Sequence, residues 1–269
     1  MLVVILLASL IGLTLGLLGG GGSILAVPVL AYAAELPAKE AIATSLIVVG
    51  ATAAFSLVPH ARRGNVEWRT GALFAITAMA GGYGGGYAAD FFSGTTLLLL
   101  FAGMMAIAAL AMFRGRGELK ADTDRPIPVA LVVAEGLGVG ALTGLVGAGG
   151  GFLIVPALVL LGGMPMHKAV GTSLMVIALK SFAAFAGHAA HVDIDVLLAA
   201  RVTGAAILGA VVGTSLAHRV PAQALKKIFA VFVLLMAGYV VAREASLGAA
   251  AAVLAFSGAA LALMRRPSA

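Results

Sequence analysis

Residues 12–30, GLTLGLLGGGGSILAVPVL, and residues 140–158, GALTGLVGAGGGFLIVPAL, are two versions of one pattern set 128 positions apart. Gly12, Gly16, Leu17, Gly19, Gly21, Gly22, Val27, Pro28 and Leu30 return as Gly140, Gly144, Leu145, Gly147, Gly149, Gly150, Val155, Pro156 and Leu158. The register then holds without a gap. Pro37 meets Pro165, Ala41 meets Ala169, Thr44-Ser45-Leu46 meets Thr172-Ser173-Leu174, and His60 meets His188. The chain is therefore one unit written twice. Glycine clusters at corresponding places in two apolar halves are a pointer to the substrate site of a secondary transporter.

Composition says which solvent these halves face. Of 269 residues, 62% are hydrophobic and 10% charged, against about 25% charged in an average soluble domain. Mean hydropathy is +1.12. Apolar runs recur at 38–58, 69–89, 95–113, 169–187, 196–217, 228–242 and 247–264, and a bilayer core of about 30 Å takes roughly 20 apolar residues as helix. A β-barrel would show short alternating segments instead. Met1 leads into apolar sequence with no basic stretch or cleavage site, so no cleavable signal peptide is expected. There is no cysteine, which excludes disulfide and thiolate chemistry. The net charge of +6 sits in short loops, where it reports topology and not nucleic-acid binding. The longest polar stretch is Arg114 to Pro128, too short for an attached ATPase.

Loop charge orients the halves. The loop His60–Arg69 carries Arg62, Arg63 and Arg69, whereas its counterpart His188–Val196 carries Asp193 and Asp195 with no Lys or Arg. The loop Phe91–Thr96 is uncharged, whereas its counterpart Ala217–Lys227 carries Arg219, Lys226 and Lys227. Each basic loop is matched by a non-basic one, so the halves are expected in opposite orientations, with basic loops in the cytoplasm. An inverted repeat needs an odd number of crossings per unit. Three are supplied by 38–58, 69–91 and 95–113, so segments 1–34 and 129–163 should each enter and leave on one side. The alternative is one long kinked span per segment.

The expected fold is an all-α polytopic membrane protein of two inverted-topology repeats, with about seven full spans plus two glycine-tipped broken or re-entrant hairpins. Residues 1–113 form the first repeat, 114–128 a cytoplasmic linker and 129–242 the second repeat. Residues 243–269 form an extra C-terminal transmembrane helix and basic tail.

The candidate site lies at the hairpin tips. Gly12/Gly16, Gly81/Gly85 and Gly209/Gly213 fit close helix packing. The runs Gly19, Gly20, Gly21, Gly22 with Ser23, and Gly147, Gly149, Gly150, Gly151, fit packing poorly, since each glycine costs a helix interior about 1 kcal/mol against alanine. A glycine turn opening a short helix presents free N–H groups to an anion. Thr44, Ser45, Thr172 and Ser173 could donate hydroxyls to a small oxyanion, or bond back to their own helices. Lys180 is the basic residue deepest in an apolar run. It could attract the anion or pair with Glu135. Glu135, His60 and His188 are the coupling candidates, the histidines reading equally as helix-end caps. No metal site, cofactor or nucleophile–base set is visible, so an enzyme is not expected.

At these residues the chain resembles the sulfite exporter TauE/SafE family, the toluene-sulfonate uptake permease-like proteins. The resemblance is carried by Gly16-Leu17-Leu18-Gly19-Gly20-Gly21-Gly22, Val27-Pro28 and Ala43-Thr44-Ser45-Leu46. In the second half it is carried by Gly144-Leu145-Val146-Gly147-Ala148-Gly149-Gly150-Gly151, Val155-Pro156, Gly171-Thr172-Ser173-Leu174 and His188. It implies transport of sulfite, sulfonates such as sulfoacetate and related anions across the bacterial cytoplasmic (inner) membrane. Lys180 stands where the resemblance leads one to expect a small or hydroxyl residue. Residues alone leave a channel-like anion conductor and a cation transporter open as alternatives. The expected partners are a small anionic substrate and the lipid bilayer. Proton or sodium coupling and a homodimer are compatible with the sequence.

Overall fold

The computed structural model describes residues 1–113, 129–147, 151–161, 164–189, 191–217 and 219–244. The linker 114–128, Gly149 and Gly150 of the second tip, and the C-terminal helix and tail beyond Glu244 lie outside the described residues. The regular structure among the described residues is helical, its α-helices in the order α1 (Leu2–Leu18), α2 (Ala26–Pro28), α3 (Ala38–Arg62), α4 (Trp68–Ala88), α5 (Gly94–Phe113), α6 (Val129–Val146), α7 (Gly151–Pro156), α8 (Met166–His188), α9 (Val196–Ala217) and α10 (Ala222–Glu244). Three of these are long and apolar enough to cross a membrane: α3, α8 and α9.

Local sequence starts and stops these helices at matching places. Pro37 and Pro165 precede α3 and α8 with φ of −51° and −56°, a geometry the pyrrolidine ring sets in advance. Their carbonyls accept from Ala41 and Ala169 N–H, both at 2.9 Å. Gly19 and Gly147 end α1 and α6 at φ of +62° and +70°, a region open to glycine at little steric cost. The chain after each break ends in a π-helical stretch, Val29–Ala33 and Ala157–Leu161.

After Gly19 the chain turns back along α1. The backbone of Gly22 lies on Leu15. Ala26 and Val29 share a buried cluster with Ile11 and Leu15, and Leu30 shares one with Val4 and Ala8. Segment 1–34 is thus a hairpin, not one kinked span.

The halves interlock through small residues. Gly12 and Gly16 of α1 lie on the backbone of Ala206, Ala210 and Gly213 of α9, while Gly209 and Gly213 lie on Ser9 and Leu13. Gly81 and Gly85 of α4 meet Leu137 and Ala141 of α6, and Gly140 and Gly144 of α6 meet Ala78 and Gly82. The contacts advance together along both chains, so both pairs are parallel. Lipid tails are as apolar as leucine, so packing at close range does what hydrophobic exclusion does in water. The glycines read as packing residues are used for packing, and each half contributes one helix to each interface.

Two faces follow from the polar ties. On one, Lys39 Nζ bonds Asp90 Oδ1 at 2.8 Å and His191 Nδ1 lies 3.9 Å from Asp90 Oδ2. These residues mark the start of α3 and the ends of α4 and α8. On the other, Arg63 donates to the Thr214 carbonyl at 3.2 Å and Lys168 pairs with Glu67 at 3.4 Å. These mark the end of α3, the starts of α4 and α8, and the end of α9. Gly50 at mid-helix meets Ser181 and Phe182, and Gly171 meets Asn65. The equivalent helices α3 and α8 therefore run antiparallel.

Candidate functional site

The tips meet at the centre of the molecule. Gly20 and Gly151 lie so close that a Cβ on either would fall on the backbone of the other. Among the described residues these two backbones are in contact, since neither glycine carries a side chain to hold them apart. The first glycine run also differs from an open turn. Gly19–Leu25 winds as a 3-10 helix with Ser23 Oγ donating to the Gly20 carbonyl at 2.7 Å. The break itself is confined to Gly19. The first N–H groups of such a turn have no intrahelical acceptor.

The hydroxyl pairs flank these tips, fully buried. Ser45 Oγ is placed to donate to the Ile42 carbonyl at 2.7 Å and to that of Gly147 across the repeat boundary at 2.5 Å. Its counterpart Ser173 donates to Val170 O at 2.8 Å and lies against Gly19. Thr172 Oγ1 accepts the Glu67 N–H at 2.9 Å, which caps the start of α4. Thr44 is buried beside them. The serine protons are thus aimed at carbonyls, and those carbonyls include the second tip.

Lys180 is 0% exposed. Its Nζ makes a short hydrogen bond to Thr143 Oγ1, which in turn donates to the Val139 carbonyl at 2.6 Å. The alternative partner is not used: Glu135 sits two helical turns from Thr143 on α6, and its Oε1 is buried without a hydrogen-bond partner among the described residues. An ammonium carries three donors, and Thr143 takes one. Ser181 Oγ, next along α8, is also buried without a partner. Thr143 went unnoticed in the sequence. The available signal was its counterpart, Leu15, just as Lys180 faces Thr52 across the 128-residue offset.

His60 and His188 point at the ends of α1 and α6. His188 Nε2 lies 2.9 Å from the Gly144 carbonyl, and His60 Nε2 lies 3.5 Å from that of Gly16. No group of three or more His, Asp or Glu able to hold a metal is found among the described residues. A separate cavity of about 330 Å³, lined by Tyr32, Ser93, Thr95 and Glu244 among others, holds none of the candidate site residues.

Residues 4–240 match the description "Sulfite exporter TauE/SafE". The chain belongs to the sulfite exporter TauE/SafE family. It is 37% identical over 242 residues to a probable membrane transporter protein of Xylella fastidiosa, covering 88% of this chain and 93% of that protein. It is 25% identical over 231 residues to the probable membrane transporter protein YdhB of Bacillus subtilis, covering 84% and 94%. A third relative, the probable membrane transporter protein MJ0441 of Methanocaldococcus jannaschii, is 29% identical over 182 residues, 66% of this chain and 68% of its own. No solved structure matches. This TauE/SafE family member is a multi-pass membrane transporter, and the glycine breaks, paired hydroxyls and buried lysine lie inside the matched region.

Proposed function

We propose that the protein is a secondary transporter of small anions, with sulfur oxyanions or organosulfonates such as sulfite and sulfoacetate as substrates, in the bacterial cytoplasmic membrane. The observation that carries this reading is Lys180: a fully buried amine with a single hydroxyl partner among the described residues. Burying a cation is costly without an anionic or hydrogen-bonding complement. A sulfonate or sulfite oxygen supplies one. The first N–H groups past Gly19, and the hydroxyls of Ser45 and Ser173 once turned from their carbonyls, add donors without adding charge. The antiparallel α3 and α8, and the exchange of α1 and α6 between halves, support two inverted repeats in a seven-span arrangement. Substrate entry then requires the touching tips to part, first toward one face and then toward the other. His60, His188 and Glu135 are the groups through which a proton or sodium gradient would act.

The test is uptake into proteoliposomes with sulfite, sulfate, thiosulfate, taurine, sulfoacetate and toluene sulfonate, each with and without a proton or sodium gradient. The reading expects saturable movement of at least one sulfur anion, strongly reduced in Lys180→Met. Movement of none of them, or movement indifferent to Lys180, would remove it.

A further inference from the structure

The two histidines make the same contact twice, in halves whose surroundings differ. Each sits at the end of a long helix, His60 on α3 and His188 on α8, and each is buried to 3% exposure. Each reaches 44 residues back in sequence to a glycine carbonyl, Gly16 and Gly144. Those carbonyls stand three residues before the positive-φ breaks at Gly19 and Gly147. They lie in the last turns of α1 and α6, where carbonyls lack intrahelical donors and the helix dipole is negative. A carbonyl only accepts, so the contact places the ring proton on Nε2. A histidine capping its own helix would bond within its own last turn; these bond to another element.

We infer that His60 and His188 are positioning residues that hold the broken ends of α1 and α6, each for its own half and each at its own face. His60 lies on the face of Arg63 and Thr214, and His188 on the face of Asp90 and His191. The other half supplies the opposing hold: Ser45 grips the Gly147 carbonyl and Ser173 rests on Gly19. Each tip is therefore fixed from both halves. Release of one histidine frees one hairpin and leaves the other in place. This role does not depend on which substrate is carried.

The test uses the absence of native cysteine. Val27→Cys and Val155→Cys place thiols at equivalent buried positions, one in each returning arm. In detergent-purified protein, His60→Leu is expected to raise the alkylation rate of Cys at 27 by tenfold or more and leave that at 155 unchanged. His188→Leu is expected to do the reverse. Gln carries an N–H at the reach of Nε2 and should restore protection in both cases. If a Leu variant fails to fold, Asn, whose amide falls short, takes its place against Gln. Unchanged reactivity in the same-half arm, or Gln behaving like Leu or Asn, would overturn the inference.

Discussion

The first and second halves repeat one backbone break and differ in the buried contacts around it. Gly19 and Gly147 break the chain at the same register with the same sign of φ. Yet where the second half sets Lys180 against Thr143, the first has Thr52 and Leu15, and Thr52 bonds its own helix at the Val48 carbonyl, 2.7 Å away. Duplication therefore supplies the scaffold, while the buried amine proposed to hold a substrate belongs to one half alone. A site built with perfect symmetry would place two ammonium groups at the centre of the bilayer, where like charges repel and each costs several kcal/mol of desolvation.

The largest effects are expected where the halves agree. Gly19→Val and Gly147→Val each combine a left-handed backbone, about 1–2 kcal/mol, with a Cβ driven into Ser173 and Val170 or into Ile42. Both should remove most monodisperse protein in size-exclusion chromatography, to a similar degree. Gly64 has φ of +70° with nothing within 4 Å. Gly64→Ala should therefore lose only the backbone term and remain folded. Unequal losses at 19 and 147 would break the claim of a duplicated scaffold.

Next come the positions where the halves differ. Lys180→Met is expected to weaken anion binding tenfold or more, about 1.4 kcal/mol, with little change in ligand-free melting temperature. Thr52→Val, at the equivalent position, should leave affinity within twofold. Equal losses at both would place the anion on the symmetry axis and not in the second half. Thr143→Val strips the buried amine of its partner, which should cost about 1–3 kcal/mol in ligand-free stability. Bound anion should recover part of that loss in a thermal-shift series.

Much of this comparison is legible in the amino-acid sequence. The register from Gly12 to His188 located both breaks. Small-residue spacing marked Gly12/Gly16, Gly81/Gly85 and Gly209/Gly213 as packing surfaces, since a small-x3-small pattern has a steric meaning that survives without a partner. The partners themselves were not legible. Nothing in the periodicity of α1 says that it packs on α9 of the other half, or that Thr143 lies beside Lys180, because these pairings depend on how the halves interlock. Helix propensity alone makes the glycine runs turns that open a short helix. In the structure the first run winds as a 3-10 helix and Gly20 lies against Gly151, arrangements that propensity alone does not specify. His60 and His188 were seen as helix-end residues, but the elements they hold are 44 residues away.

The smallest expected effect lies at the Asp90 face. Hydrogen bonding and attraction from Lys39 hold the Asp90 carboxyl below the usual carboxylate range. A lowered folded-state pKa contributes stability above the unfolded value, and that contribution is lost as pH falls through the folded value. The pair is exposed, so its worth is screened. Wild type should therefore lose slightly more melting temperature than Asp90→Asn as pH drops below about 4. Parallel curves would show that the tie contributes nothing measurable.

The central claim, that the two halves are inverted copies with their basic loops inside, is tested most directly by sidedness. Asn65→Cys and Asp193→Cys introduce single thiols into a cysteine-free chain on the two faces defined above. A membrane-impermeant maleimide applied to intact cells should label Cys at 193 at once and Cys at 65 only after permeabilisation. Labelling of both from the same side would contradict the inverted arrangement.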